Sequence, residues 1–104
     1  MDSKLIVSMV LIALNAIALR KNFMKIKLYT IKGCSNCLLV KKFFDKMKVE
    51  YETIDCDENL EESIQVMKEA KSEQLPIVKY TTDSDSYIIG YDKENLDKLF
   101  NLIN

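Results

Sequence analysis

Lys27-Leu28-Tyr29-Thr30-Ile31-Lys32-Gly33-Cys34-Ser35-Asn36-Cys37 begins as a short apolar run, turns at the chain's first glycine and continues into two cysteines spaced i, i+3. The helical pattern Leu38-Leu39-Val40-Lys41-Lys42-Phe43-Phe44-Asp45-Lys46-Met47 follows directly. The stretch reads as a strand, a tight turn and a helix whose first turn carries both thiols. That location suits redox chemistry. The first N–H groups of a helix lack internal partners and the positive end of its dipole lies there, so a thiolate is favoured over a thiol. Two thiols one turn apart can also close into a disulfide, with Cys34 the more exposed and Cys37 further in.

Outward from this stretch, Ile26 to Thr30 alternates as a strand with Ile26 and Leu28 on one face. On the helix after it, Cys37, Leu38, Val40, Phe43, Phe44 and Met47 form an apolar side, and Lys41, Lys42, Asp45, Lys46 and Lys48 an outer one. Val49 to Asp55 reads as a second strand, and a helix between the two suits a parallel, right-handed crossover. Asp57-Glu58-Asn59 starts a helix from about Leu60 to Lys71, with Ile64, Val66, Met67 and Ala70 on its apolar side. Leu75-Pro76-Ile77-Val78-Lys79-Tyr80 is the next strand, with the chain's one proline near its start, where a lost N–H is tolerable. A polar hairpin turn over 81–86 leads to Tyr87-Ile88-Ile89, and Gly90 breaks that strand. Asp92 caps a last helix, Lys93 to Ile103, with Leu96, Leu99, Phe100 and Ile103 inward. The order is β-α-β-α-β-β-α.

Residues 1–23 are compositionally separate. Leu5 to Leu19 is an apolar run interrupted only by Ser8 and Asn15, flanked by Lys4 and by Arg20-Lys21. It falls short of the roughly 20 residues a membrane-spanning helix needs. Ala16-Ile17-Ala18 resembles a signal cleavage site, although Asp2 weakens the charged start. The run also reads as a helix packed on the domain, or as an extension upstream of a start at Met24. The favoured expectation is an extension or weak anchor outside the fold, with the domain proper over 24–104. As an anchor, residues 5–19 would contact a membrane, and Arg20-Lys21 would keep the domain cytoplasmic.

Composition narrows the function. At 104 residues the chain is one domain with a modest core. A formal net charge of −1 argues against nucleic acid as a partner. The charge is unevenly spread, with ten Lys/Arg against three Asp/Glu up to Glu50 (+7) and five against thirteen from Tyr51 on (−8). One reading is two differently charged solvated faces. The other is that Lys25, Lys27, Lys32, Lys41 and Lys42 favour a Cys34 thiolate and draw in anionic partners. Three cysteines without histidine fall short of the tetrahedral set that structural zinc takes, so no metal site is expected. A nucleophile paired with histidine is excluded. Few cysteines, odd in number, fit a reducing compartment. Cys56 reads as a small buried hydrophobe rather than a regulatory thiol.

The element order, Cys-x-x-Cys at the first helix start and a proline opening the third strand together resemble the thioredoxin fold, a four-stranded mixed sheet flanked by helices. The short chain and the ending Ile89-Gly90-Tyr91-Asp92 look like glutaredoxins and the glutaredoxin-like donors to ribonucleotide reductase. The resemblance spans residues 24–104. It implies that Cys34 is the attacking thiol and Cys37 the resolving one. Pro76 would be the cis-proline facing the disulfide, and Leu75 the residue whose backbone pairs with a bound peptide or glutathione. Gly90, Tyr91 and Asp92 fall where the family holds a glutathione carboxylate, consistent with a helix N-terminus as an anion site.

Three departures bear on the reductant. Ser35 and Asn36 stand where glutaredoxins usually carry proline and an aromatic. Ile31 replaces a basic residue, leaving Lys32 to substitute, and Gly90 is alone where the family has a glycine pair. The resemblance therefore implies a monomeric dithiol–disulfide oxidoreductase acting on protein disulfides or glutathione mixed disulfides. It would hold no tight cofactor and take glutathione as reductant. A donor dependent on thioredoxin reductase is one alternative. Another is a [2Fe–2S] protein sharing the cluster between protomers through the first cysteine and glutathione.

Overall fold

In a computed structural model that describes residues 24–103, Lys25–Thr30 forms β1 and Ser35–Lys46 forms α1. Glu52–Asp55 is β2 and Leu60–Ala70 is α2. Ile77–Thr81 and Asp85–Ile89 are the hairpin strands β3 and β4, and Lys93–Ile103 is α3. The expected order of elements holds. The readings of residues 1–23 lie outside the described residues.

The sheet runs β2-β1-β3-β4. β1 pairs parallel with β2, Leu28 opposite Thr53, and antiparallel with β3, Leu28 opposite Val78. β3 and β4 are antiparallel. This is the mixed, thioredoxin-like sheet expected from the sequence. Since successive strand residues point to opposite faces, the sheet builds two cores. Ile26, Leu28, Val78 and Ile88 face α1 and α3, and pack with Val40, Phe43, Phe44, Leu96 and Leu99. Tyr29, Ile54 and Ile77 face α2 and pack with Cys56 and Val66.

Two helix faces differ from the sequence reading. Leu38 was expected in the core but is 57% exposed, because α1 turns Cys37, Val40, Phe43 and Phe44 inward instead. On α2 the buried pair is Ser63 and Val66, and Ile64 is 53% exposed. Ser63 is tolerated inside because its hydroxyl donates to the Asn59 carbonyl at 2.7 Å. β2 starts at Glu52 rather than Val49. Lys48 takes a left-handed φ of 58° at the end of α1, and the Val49 N–H closes back on the Phe44 carbonyl at 2.9 Å. Val49 itself is spent on the core.

Polar ties hold α2 where apolar contact is thin. Glu62 accepts from the Tyr29 hydroxyl at 2.8 Å and from Lys27 Nζ at 3.2 Å. Seven residues on, Glu69 Oε1 accepts from the Tyr87 hydroxyl at 2.6 Å and Lys79 Nζ at 3.0 Å. These donors hold the Glu69 carboxyl down to about 2 from an ordinary 4.5, the Tyr87 bond first. A lowered carboxyl stabilises the fold above its ordinary value, and the contribution disappears as pH falls from about 4.5 to 2. Glu69 is partly solvated, so we expect a loss of about 1 kcal/mol across that window. Acid melts of the wild type and Glu69→Gln should converge at low pH. Parallel curves throughout would refute the tie.

Candidate functional site

β1 delivers the chain to the site, and Gly33, at a φ of 77°, turns it into α1. Cys34 is the N-cap of α1, with extended backbone (φ −94°, ψ 108°). Its Sγ accepts the backbone N–H of Cys37 at 3.1 Å, the bond that a capping oxygen ordinarily takes. The sulfur thus sits on the unsatisfied donors and positive dipole end of α1, where negative charge is stabilised. Cys34 and Cys37 are joined as a disulfide, with Cα atoms 5.2 Å apart. Cys34 is half-buried and Cys37 is buried, the asymmetry that attack by the first and resolution by the second would require.

The Leu75–Pro76 peptide bond is cis, as the resemblance implied. Pro76 is buried, and the Leu75 carbonyl oxygen lies 4.0 Å from Cys34 Sγ. Gly90 donates its N–H to the Pro76 carbonyl at 2.8 Å, which ties the end of β4 to the cis-proline bend. Gly90 has a φ of 72°, and a Cβ there would stand 3.0 Å from Gln74 Nε2. Tyr91 is partly exposed. Asp92 caps α3, its Oδ1 accepting the Asn95 N–H at 3.2 Å and its Oδ2 the Asn95 side-chain amide at 2.6 Å.

On the other side of Cys34 lies a groove of about 330 Å³ lined by Ile31, Lys32, Cys37, Leu38, Lys41 and Asp55 among others. Of the lysines that the sequence connected with the thiolate, Lys32 and Lys41 are here. Lys25 and Lys27 are not. They line a separate sheet pocket with Lys79, and Lys27 is tied to Glu62. Tyr29 is likewise away from the cysteines, buried under α2, where burial and Glu62 push its hydroxyl pKa up. Cys56 is a buried free thiol whose pKa burial pushes up, which makes it a poor nucleophile. No group of three or more Cys, Asp or Glu side chains gathers to hold a metal among the described residues.

The structure therefore brings Cys34, Cys37, Leu75, Pro76 and Gly90 together. It places Lys32 on the groove beside them and Tyr91 and Asp92 at the start of α3. Sequence reasoning missed Gln74, which packs over Gly90, and the presence of Leu38 and Asp55 on the groove. Gln74 lies two residues before the proline, a position without a local signature. Leu38 is apolar at helical spacing, which reads as core by default.

The glutaredoxin family profile matches residues 26–81. The Gene 56 protein of Mycobacterium phage D29 is 33% identical over 81 residues, covering 78% of this chain and 88% of that protein. Among solved structures, the glutaredoxin-like protein NrdH-redoxin from Escherichia coli superposes with a TM-score of 0.60 at 23% identity, over 72% of this chain and 93% of its own. A buckwheat glutaredoxin, solved in complex with glutathione, gives a TM-score of 0.61 at 23% identity, over 84% of this chain and 87% of its own. The two structures agree on the fold, and the phage relative and family profile agree on the sequence. With a Cys-x-x-Cys pair at the head of α1, the chain belongs to the glutaredoxin family and is a thiol–disulfide oxidoreductase.

Proposed function

We propose that this chain reduces protein disulfides and glutathione mixed disulfides through Cys34 and Cys37, with glutathione returning it to the dithiol form. The observation that carries this reading is the capping geometry of Cys34. A sulfur already accepting the Cys37 N–H at 3.1 Å is held where a thiolate is stabilised. The Cys34 thiolate attacks one sulfur of the substrate disulfide and forms a mixed disulfide, while the other substrate sulfur leaves and takes a proton from water. Cys37, once deprotonated, attacks Cys34 Sγ and releases the second substrate thiol. The substrate gains two electrons and two protons, and the protein is left as the Cys34–Cys37 disulfide. Two glutathione thiols then reverse the exchange and leave as glutathione disulfide.

In this reading Leu75 offers its backbone to the glutathione peptide across the cis-proline. The start of α3, at Tyr91 and Asp92, receives one carboxylate. Lys32 supplies a cation for the other. A second reading takes thioredoxin reductase as the electron donor. It is favoured by Ile31, which puts an apolar side chain on the groove where the family often has a cation.

A coupled assay separates the two. Oxidised full-length chain is supplied with NADPH and either glutathione plus glutathione reductase or thioredoxin reductase. Steady NADPH consumption is expected with the glutathione system. Consumption only with thioredoxin reductase would overturn the glutathione assignment.

A further inference from the structure

The groove beside Cys34 is basic. On the α1 side, Lys32 and Lys41 line the groove, and no carboxylate among the described residues forms an ion pair with either. Asp55 is the one acid on that groove among the described residues, and its Oδ1 already accepts the Asp57 N–H at 2.8 Å. Along the sequence, by contrast, acids flank the Leu75–Pro76 and Gly90–Tyr91 segments, with Glu73 before the first and Asp92 and Glu94 after the second. Lys93 there is tied to Asp97 at 2.9 Å. The basic groove also has an apolar floor. Leu38 is 57% exposed and Ile31 38%, next to a disulfide that any substrate must reach. An apolar side chain so exposed on a helix with a well-filled core is ordinary when isolated. Here it stands one helical turn before Lys41, beside Ile31 and the cysteines, so the groove is amphipathic and continuous with the reaction site.

From this we propose, building on the oxidoreductase reading above, that the groove selects protein disulfides whose flanking peptide carries an apolar residue followed by acidic ones. The apolar side chain lies on Leu38 and Ile31, and the carboxylates meet Lys41 and Lys32. The substrate disulfide is then presented to Cys34 with its acidic flank over α1. Lys41 is a specificity-determining residue, because it touches the flank and not the reacting sulfurs.

The test uses two synthetic peptide disulfides of equal length, one with Leu-Asp-Asp beside the cysteine and one with Leu-Lys-Lys, turned over by the full-length chain while NADPH and the reductase system that sustains turnover in the coupled assay above return it to the dithiol form. At low ionic strength kcat/KM should favour the acidic peptide by about tenfold, mostly through KM, and the preference should shrink as salt is added. Lys41→Glu should bring the ratio to unity or below, while Lys41→Arg keeps it. The pH dependence of Cys34 alkylation is recorded beside the ratio, because a change in thiolate formation alters the rates with both peptides alike and leaves their ratio untouched, whereas loss of the flank contact changes the ratio. A wild-type ratio near unity, or a ratio that survives Lys41→Glu, would overturn the proposal. Turnover of neither peptide would strike the oxidoreductase reading itself, and is told apart by the wild-type rates alone.

Discussion

Cys34→Ser is expected to lose disulfide reduction by at least about a thousandfold, since the attacking thiolate has no counterpart in a serine hydroxyl near neutral pH. The substitution is unusually clean. Serine is a preferred N-cap, and its Oγ can accept the Cys37 N–H that Cys34 Sγ accepts now. α1 therefore keeps its start, and circular dichroism should match that of the reduced wild type. Loss of activity then reports chemistry rather than unfolding. Cys37→Ser should behave differently. It removes the buried resolving thiol, so protein disulfides stall at the mixed disulfide on Cys34, visible by mass spectrometry. Glutathione adducts can still be released by a second glutathione. Full protein-disulfide turnover in Cys34→Ser would sink the assignment of roles to the two cysteines.

The largest stability effect is expected at Phe44. This ring is 1% exposed between the sheet and α1, with the Tyr51 ring centroid 4.9 Å away and that of Phe43 6.0 Å away. Phe44→Ala removes the ring's burial and leaves a cavity that a helix pinned at Cys34 cannot close, at a cost of about 3–5 kcal/mol. A small domain has only about 5–15 kcal/mol in total, so the variant should sit near the edge of folding at 37 °C. Urea unfolding is the measurement. A midpoint within the error of wild type would mean that Phe44 is not packed as described.

Much of this was readable from the chain because the informative features are local. A strand, a glycine turn and thiols in the first turn of a helix depend on neighbours within a dozen residues, and so does the Asp92 cap of α3. What was not readable depends on how elements cross. Periodicity gives α1 one apolar stripe from Cys37 to Met47, but the contact with the sheet reaches only part of it and leaves Leu38 in solvent. Tyr29 and Thr30 are adjacent in sequence. One is buried under α2 with its hydroxyl on Glu62, and the other lines the cysteine groove. No sequence pattern says which face of β1 each core will claim. Likewise the uneven charge along the chain does not say which charges meet: Lys27 of the basic half pairs with Glu62 of α2, whereas Lys79 and Glu69 pair within the acidic half and Lys32 and Lys41 stay on the cysteine groove.

The double-sided sheet also insulates. The partners of the Cys34 sulfur come from the head of α1 and the Leu75–Pro76 bend, and the Gly90 turn braces that bend. The layer under α2 is closed by its own carboxylate ties on the far side. β1 is the partition between them, and its exit residues are where the two halves share a wall. Leu75 is where the insulation is bridged: its side chain packs on the α2 layer while its carbonyl stands at Cys34, so sequence drift under α2 reaches the redox pair through the cis-proline bend. One half is constrained by reactivity, and the other by the seat it gives Leu75.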